Sequence, residues 1–411
     1  MALAGDFEHN SSDSDDSTSG PVGLWLVGAR GSIGVTTAVG LAAIAAGAAD
    51  LTGCVTACDD LAGLPLLAAG DIVLGGHDIS ATPVTARAEQ LAASGMLPTR
   101  LVELTADALK AFETWIRPGV TAFDAGAQAD VVSRLVDDLE EFRAAHDLAR
   151  IIVVDVSSTE ALPEDRPELD DPDLLQAALA DARRKPLPPS ALYALAAIRT
   201  GSPLACFTPS ASLGVPALQA LAADVIPYAG QDGKTGQTLL RTSLAPTLVR
   251  RGFRVLSWAG ANVLGGGDGA TLADPVMVQS KLHSKNRGLR ALIGEQAATP
   301  LHIDNVPDLG DIKTAWDHIH AEGFLGSRIT LQTIWTAYDS MLAAPLVIDL
   351  VRLLDLADRT GVRGAIGELG FFFKDPWGSD VHDYALQAQA LYAWAHERVA
   401  TDRPSMAELA K

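Results

Sequence analysis

The pattern of apolar and polar positions resolves into elements from residue 22 onward. A short apolar run, Val22–Val27, is closed by Gly28-Ala29-Arg30-Gly31-Ser32-Ile33-Gly34. An alanine-rich apolar stretch then continues to about Ala48. That order predicts a strand, a tight turn and a helix. A second strand is predicted over 52–57, ending at Cys58-Asp59-Asp60. Residues 149–155 (ARIIVVD) have the unbroken apolar character of a strand buried on both faces, and Ser157-Ser158-Thr159 follow it. Helical periodicity covers 85–95, 104–116 and 130–147, the last with a solvated acidic face. Residues 163–186 are rich in Pro and Asp and predict a loop carrying one helix. A helix at 191–198, a strand at 204–208 and a helix at 215–223 follow, with Pro216 in the first turn of the last.

The pattern changes after about residue 240. Strands are predicted at 254–261, 302–306 and 328–335, and helices at 275–293 and 345–359. Helices beyond about 381 are expected to pack back onto the first unit. The fold class is therefore α/β. A Rossmann-type dinucleotide-binding domain spans 21–240 plus 349–411, and 241–348 form an inserted mixed α/β domain. Residues 1–20 read as a disordered Ser/Asp-rich tail without the apolar core of a signal peptide.

Composition narrows the function. The formal net charge of −20 repels nucleic acid and anionic membranes, so neither is an expected partner. It also repels any phosphorylated ligand, which makes lysines set against the trend informative. The three cysteines are too few for a disulfide framework and point to a reducing, cytoplasmic setting. Cys54 and Cys58 have no neighbouring His or second Cys pair, so no metal site is expected.

The spacing Gly28, Gly31, Gly34 is a GxxGxxG variant of the dinucleotide loop. Such a loop needs glycine for the turn, for close approach of a diphosphate and for helix packing. A plain strand–helix turn is the competing reading. Asp59, Asp60 and Asp78 (in Gly75-Gly76-His77-Asp78) are candidates for the ribose-binding acid, and no Arg directly follows the predicted second strand, which favours NAD over NADP.

Four further segments carry polar residues that a bland fold does not need. Gly230-Gln231-Asp232-Gly233-Lys234-Thr235-Gly236-Gln237-Thr238 is rich in glycine and donors before a helix, as a phosphate cradle requires. Asn262-Val263-Leu264-Gly265-Gly266-Gly267-Asp268-Gly269 suggests backbone pressed against a ligand, or a flexible hairpin. In the helix opened by Asp274 and Pro275, Lys285 falls on the apolar stripe of Val278, Leu282, Leu289 and Leu292, with Lys281 one turn earlier. A bound anion would relieve both the burial and the like-charge repulsion, and snorkelling is the alternative. Lys374 follows Phe371-Phe372-Phe373, where desolvation would lower its pKa toward that of a proton shuttle. Gly310-Asp311-Ile312-Lys313 forms a similar polar knot in a loop. Asp349 shares a helix face with Arg352 and Arg359 and could be a solvated surface acid.

Taken in order, these segments resemble the inositol-3-phosphate synthase (myo-inositol-1-phosphate synthase) family. The matching motifs are Gly28–Gly34, GGHDI from Gly75, Gly201-Ser202-Pro203, DGKTGQT from Asp232, the 262–269 segment, SKLHSK from Ser280, GDIK from Gly310, LAAPLVID ending at Asp349, and Phe373-Lys374-Asp375-Pro376. The resemblance implies an isomerase in which NAD oxidises C5 of glucose 6-phosphate, C6 enolises and attacks the C1 aldehyde, and NADH reduces the ketone again. It implies Lys281, Lys285, Lys313 and Lys374 as essential lysines, with Asp232, Asp268 and Asp349 orienting them. It implies NAD contacts from Gly28 through Gly34, Asp78, Ser157, Ser158, Thr159, Gly201, Ser202, Asp232, Thr235, Gly266, Gly267, Asp268, Lys281, Gly310, Asp311 and Asp349. Substrate contacts would come from Thr235, Gly236, Gln237, Thr238, Asn262, Leu264, Lys285, Lys313 and Lys374. Tetramers built through the inserted catalytic domain are usual in the family.

The chain departs from the family pattern in two places that would meet substrate and cofactor. The family's GNNDG is Gly265-Gly266-Gly267-Asp268-Gly269 here, and its GQTK is Gly236-Gln237-Thr238-Leu239. Closure of a five-membered ring from a ketose phosphate such as fructose 6-phosphate therefore stays open, as does a non-catalytic NAD-binding regulator.

Overall fold

The computed structural model describes residues 20–265 and 288–402. Asp268, Gly266, Gly267, Lys281, Lys285 and most of the helix predicted at 275–293 lie outside the described residues.

Two sheets organise the chain. The first has seven parallel strands in the order β11-β6-β5-β4-β1-β2-β3. These are β1 Val22–Val27, β2 Ile72–Asp78, β3 Ile116–Pro118, β4 Arg150–Asp155, β5 Leu204–Cys206, β6 Pro227–Gly230 and β11 Gly364–Ala365. Helices cover both faces: α1 Ser32–Ala45, α2 Val84–Ala93 and α3 Thr99–Glu113 on one, and α4 Gln128–Ala145, α5 Pro172–Ala180, α6 Pro189–Thr200 and α7 Pro216–Ala222 on the other. Fully covered parallel strands must be apolar throughout, and β1 is buried at all six positions. The chain runs β1-β2-β3 outward on one side and places β4 on the other side of β1. That reversal opens a crevice at the carboxyl ends of β1 and β4.

The second strand differs from the sequence expectation. Residues 55–57 form a single 3-10 turn. The Val55 and Thr56 N–H groups donate to the Asp349 carboxylate at 2.7 and 2.9 Å instead of to a strand. The slot beside β1 belongs to β2, whose Gly75 and Gly76 admit the Trp25 ring and the Leu26 carbonyl. A Cβ on Gly76 would stand 2.4 Å from that oxygen, and one on Gly75 would stand 2.7 Å from the indole.

After α8, Gln237–Arg250, comes a four-stranded sheet in the order β10-β9-β7-β8. Its strands are β7 Arg254–Leu264, β8 Leu301–Asn305, β9 Ile312–Glu322 and β10 Arg328–Tyr338. One face packs on α8 through Val255, Trp258 and Ile319. α9, Asp339–Arg359, then leaves β10 and buries its far end against the seven-stranded sheet. α10, Tyr384–Asp402, packs against it, as expected for the C-terminal helices. Both expected domain boundaries, at 240 and 348, fall inside continuous helices.

Candidate functional site

A cleft of about 280 Å³ lies at the carboxyl edge of the seven-stranded sheet, roofed by the second sheet. Its floor is Gly31, Ser32 and Ile33 at the start of α1, with Val156, Ser157, Ser158 and Thr159 after β4. Gly28 makes this junction possible. It sits at φ +89°, and a Cβ there would stand 2.8 Å from the Ser157 Cα. Gly34 lies against the Ala29 carbonyl, where a Cβ would come within 2.6 Å. The loop is pinned from below. The His77 carbonyl accepts from the Gly28 and Ala29 N–H groups, and the Asp78 carboxylate accepts from the Arg30 N–H at 2.6 Å. Asp155, buried at the end of β4, accepts from the Ser157 N–H and hydroxyl, and burial raises its pKa. Among the described residues, no partner within the protein takes the Ser32 and Ile33 N–H groups at the α1 N-terminus. This donor set, with a glycine floor and a facing row of hydroxyls, suits a dinucleotide diphosphate.

The opposite side of the cleft is built from charge. Asp232, at φ +63° after β6, accepts from the Lys374 ammonium at 2.7 Å. Its second oxygen is buried and unpartnered among the described residues. Lys374 is positioned by its own N–H, which donates to the Asp232 carbonyl at 2.8 Å. Lys313, on β9, donates to Asp339 at 2.7 Å, and the Thr235 hydroxyl donates to the other oxygen of Asp339 at 2.9 Å. Burial opposes ionisation of Asp339, but the Lys313 charge and hydrogen bond outweigh it and hold the carboxyl well below the usual range. Asp339 is also the first residue of α9, where the helix dipole favours an anion.

Behind this lies a buried anchor. The Asp317 carboxylate accepts from Arg241 at 2.6 and 3.0 Å, Trp258 at 2.9 Å and Gln237 at 3.0 Å. It ties the start of α8 to the second sheet.

The expected residues separate into groups. Gly31, Ser32, Ile33, Ser157, Ser158, Thr159, Asp232, Thr235, Leu264, Asp311, Lys313 and Lys374 come together along the cleft. Gly28, Ala29, Arg30, Gly34 and Asp78 support its floor from behind. Gly310, at φ +58°, turns the chain so that Asp311 reaches the cleft.

Other residues fall elsewhere. Lys313 is the second residue of a strand, not part of a loop. Gly201 caps the C-terminus of α6 and Ser202 bonds Thr200, at the start of β5 and away from the carboxyl edge. Asp349 is fully buried at the middle of α9 and does not line the cleft. It accepts from Val55, Thr56 and the Thr56 hydroxyl, and burial pushes it up to about 6. The Gln237 amide is spent on Asp317. Gly236 presses against the Trp335 indole, and Thr238 faces a water-sized hole rather than the cleft. Asn262 is buried beside Leu264, with both amide atoms unpartnered among the described residues.

The lysine placed against aromatic rings is Lys234. It lies 5.7 Å from the Phe371 ring centre and 5.8 Å from that of Tyr384, and burial lowers its pKa to about 7.

Sequence reasoning missed Asp339 and Arg87. Asp339 opens the helix that carries LAAPLVID, three residues before that motif begins. Arg87 sits on an ordinary amphipathic helix and gave no signal.

Fold and cleft together define an NAD-binding α/β protein with a second sheet, which carries Lys313, inserted over the cofactor groove. The family model described as myo-inositol-1-phosphate synthase, an NAD-binding family, matches residues 22–396. The chain belongs to that family of NAD-using isomerases. It is 30% identical over 404 residues to inositol-3-phosphate synthase 1 of Bacteroides thetaiotaomicron, covering 90% of this chain and 92% of that one. It is 30% identical over 347 residues to human inositol-3-phosphate synthase 1, covering 76% of this chain and 61% of the longer human protein. Two crystal structures share the fold. Inositol-3-phosphate synthase of Caenorhabditis elegans has a TM-score of 0.79 at 23% identity, covering 95% of this chain and 88% of that one. A myo-inositol-1-phosphate synthase-related protein of Thermotoga maritima has a TM-score of 0.74 at 22% identity, covering 92% and 98%.

Proposed function

We propose that the protein converts glucose 6-phosphate into 1D-myo-inositol 3-phosphate. The observation that carries this reading is the convergence of Lys313 and Lys374 on the glycine-floored cleft, each ammonium held by a carboxylate. NAD bound on that floor supplies reversible hydride transfer at C5, with no net redox change over a turnover. The protein's own groups do the rest. A C5 ketone acidifies C6, and loss of a C6 proton needs a base and a cation facing the enolate oxygen in a site shielded from water. Lys374, fixed by Asp232, is suited to pass the proton and face the developing oxyanion. Lys313, fixed by Asp339, offers an ammonium for the phosphate beside the Thr235 hydroxyl. Lys281, Lys285 and Asp268 complete the set in this proposal, as does Asp349 by bracing the middle of α9 against the 55–57 turn.

We also propose a homo-oligomer, a tetramer, joined through the outer face of the four-stranded sheet, where Trp316 and Ile334 pair side by side and stand exposed. Three free cysteines fit a cytoplasmic setting. Among the described residues no helix is long and apolar enough to cross a membrane.

The test is incubation of purified protein with NAD and either glucose 6-phosphate or fructose 6-phosphate, with the product identified by NMR. Inositol phosphate from glucose 6-phosphate, without accumulation of NADH, is the expected result. A five-membered product, or no turnover of either sugar, overturns the assignment.

A further inference from the structure

Arg87 has no part in the chemistry above, yet its guanidinium stands at the cofactor end of the cleft. It projects from α2, and Nη2 donates to the Ser32 hydroxyl at 2.6 Å, at the first residue of α1. Nη1 reaches Gln90 at 3.2 Å. The same Nη2 lies 3.8 Å from the Asp311 carboxylate, which enters the cleft from the second sheet. These contacts leave Nε–H and two further N–H groups without a partner among the described residues, since a guanidinium carries five. Asp311 accepts no hydrogen bond among the described residues. The pair thus spans the cleft, one end on each unit, with donors and acceptors in reserve.

We infer that Arg87 and Asp311 form a latch over the bound cofactor. Arg87 binds its diphosphate at the α1 N-terminus, and Asp311 holds Arg87 in place from the roofing sheet. The inference rests on the cofactor site assigned above and goes further by giving these two residues the task of retention. Three observations support it. In a chain with a net charge of −20, a fixed cation offsets the repulsion that a diphosphate meets. The α1 N-terminus by itself supplies neutral donors and a partial charge, whereas a guanidinium adds a full charge and a planar fork matched to phosphate oxygens. The Ser32 contact fixes that fork within one residue of the open N–H groups. An enzyme that reduces and re-oxidises the same cofactor in each turnover gains from slow release, which a clasp across the cleft provides.

The test is the dissociation rate and Kd of NADH, read by its fluorescence on the purified full chain. The panel is wild type, R87Q, R87K, D311N and the R87Q/D311N double variant, with ADP-ribose and adenosine as fragment probes. R87Q is expected to weaken NADH and ADP-ribose about 10- to 100-fold, the range of a charged hydrogen-bonding group, and to leave adenosine unchanged. R87K should recover part of the loss. D311N should speed NADH release a few-fold, and by no further amount in the R87Q background. Unchanged Kd and release in R87Q overturn the latch. So does an equal loss for adenosine and ADP-ribose, because that marks damage to the α2–α1 packing. Wild type that binds no NADH overturns the cofactor reading itself, a result distinct from the other two.

Discussion

The two sides of the cleft reach precision by different means. Apart from the Arg87–Asp311 pair, the nucleotide side uses backbone: glycines at 28, 31 and 34, open N–H groups at a helix start, and hydroxyls after β4. The side proposed for the sugar uses buried and half-buried charge: Asp232 with Lys374, Asp339 with Lys313, and Asp317 with Arg241 behind them. Backbone donors need no counter-charge and keep their aim whatever the pH. Charged side chains can move protons, but each must be compensated or its burial costs several kcal/mol. A cofactor that is only held suits the first arrangement, and a substrate that changes its protonation suits the second.

Substitutions can break or sharpen this contrast. Asp317→Ala should cost the most in stability, about 3–5 kcal/mol, because it strands Arg241 in the interior. Urea unfolding measures this, and a loss below about 1 kcal/mol would show that the sugar side does not depend on its anchor. Lys374→Met should leave NADH affinity near wild type while lowering kcat by about 10²–10⁴-fold, the usual share of a positioned acid–base group. Loss of NADH binding in that variant would blur the division between the two sides. Gly28→Ala should do the reverse, weakening NADH about tenfold or more through strain at φ +89° and contact with Ser157, with less effect on kcat at saturating cofactor.

The smallest effect concerns Lys234, whose pKa is lowered to about 7 from an ordinary 10.5 by burial. A depressed lysine favours the neutral folded state. Its contribution is present above the unfolded value and is lost as pH falls through about 7, so stability should rise with pH between about 7 and 10. Lys234→Met should flatten that slope and raise Tm at pH 7 by about 2–4 °C. A melt series over pH that shows the same slope in both proteins would sink the assignment.

The nucleotide side was legible because its chemistry is written in spacing. Glycines three apart between an apolar strand and an apolar helix have few other uses, and the structure places that loop on the cleft floor. The sugar side was legible only in parts. β9 escaped notice because its inward row reads Lys313, Ala315, Asp317, Ile319, Ala321, and the buried Asp317 breaks the alternation that marks a half-buried strand. β2 was misplaced because Gly75-Gly76 looks like a turn until Trp25 and the Leu26 carbonyl are seen to occupy the missing side-chain space. Asp349 drew attention as an acid on a helix, but one sequence cannot say whether an acid faces a ligand or a neighbouring turn. Asp339, ten residues earlier on the same helix, has the same local appearance and lines the cleft.

The two helices that carry the chain between the sheets set a rule for anyone recombining this protein with a homologue. A turn at 251–253 separates α8 from the roofing sheet, but β10 runs straight into α9 at Asp339, so no loop offers a seam on that side. A crossover there must be made within the helix, where each inserted or deleted residue rotates everything beyond it by about 100°. A single-residue slip in α9 would swing Asp339 out of reach of Lys313 while every other helical hydrogen bond re-formed. Such a chimera would fold, melt at an ordinary temperature and still lack the charge pair on which the sugar side is built.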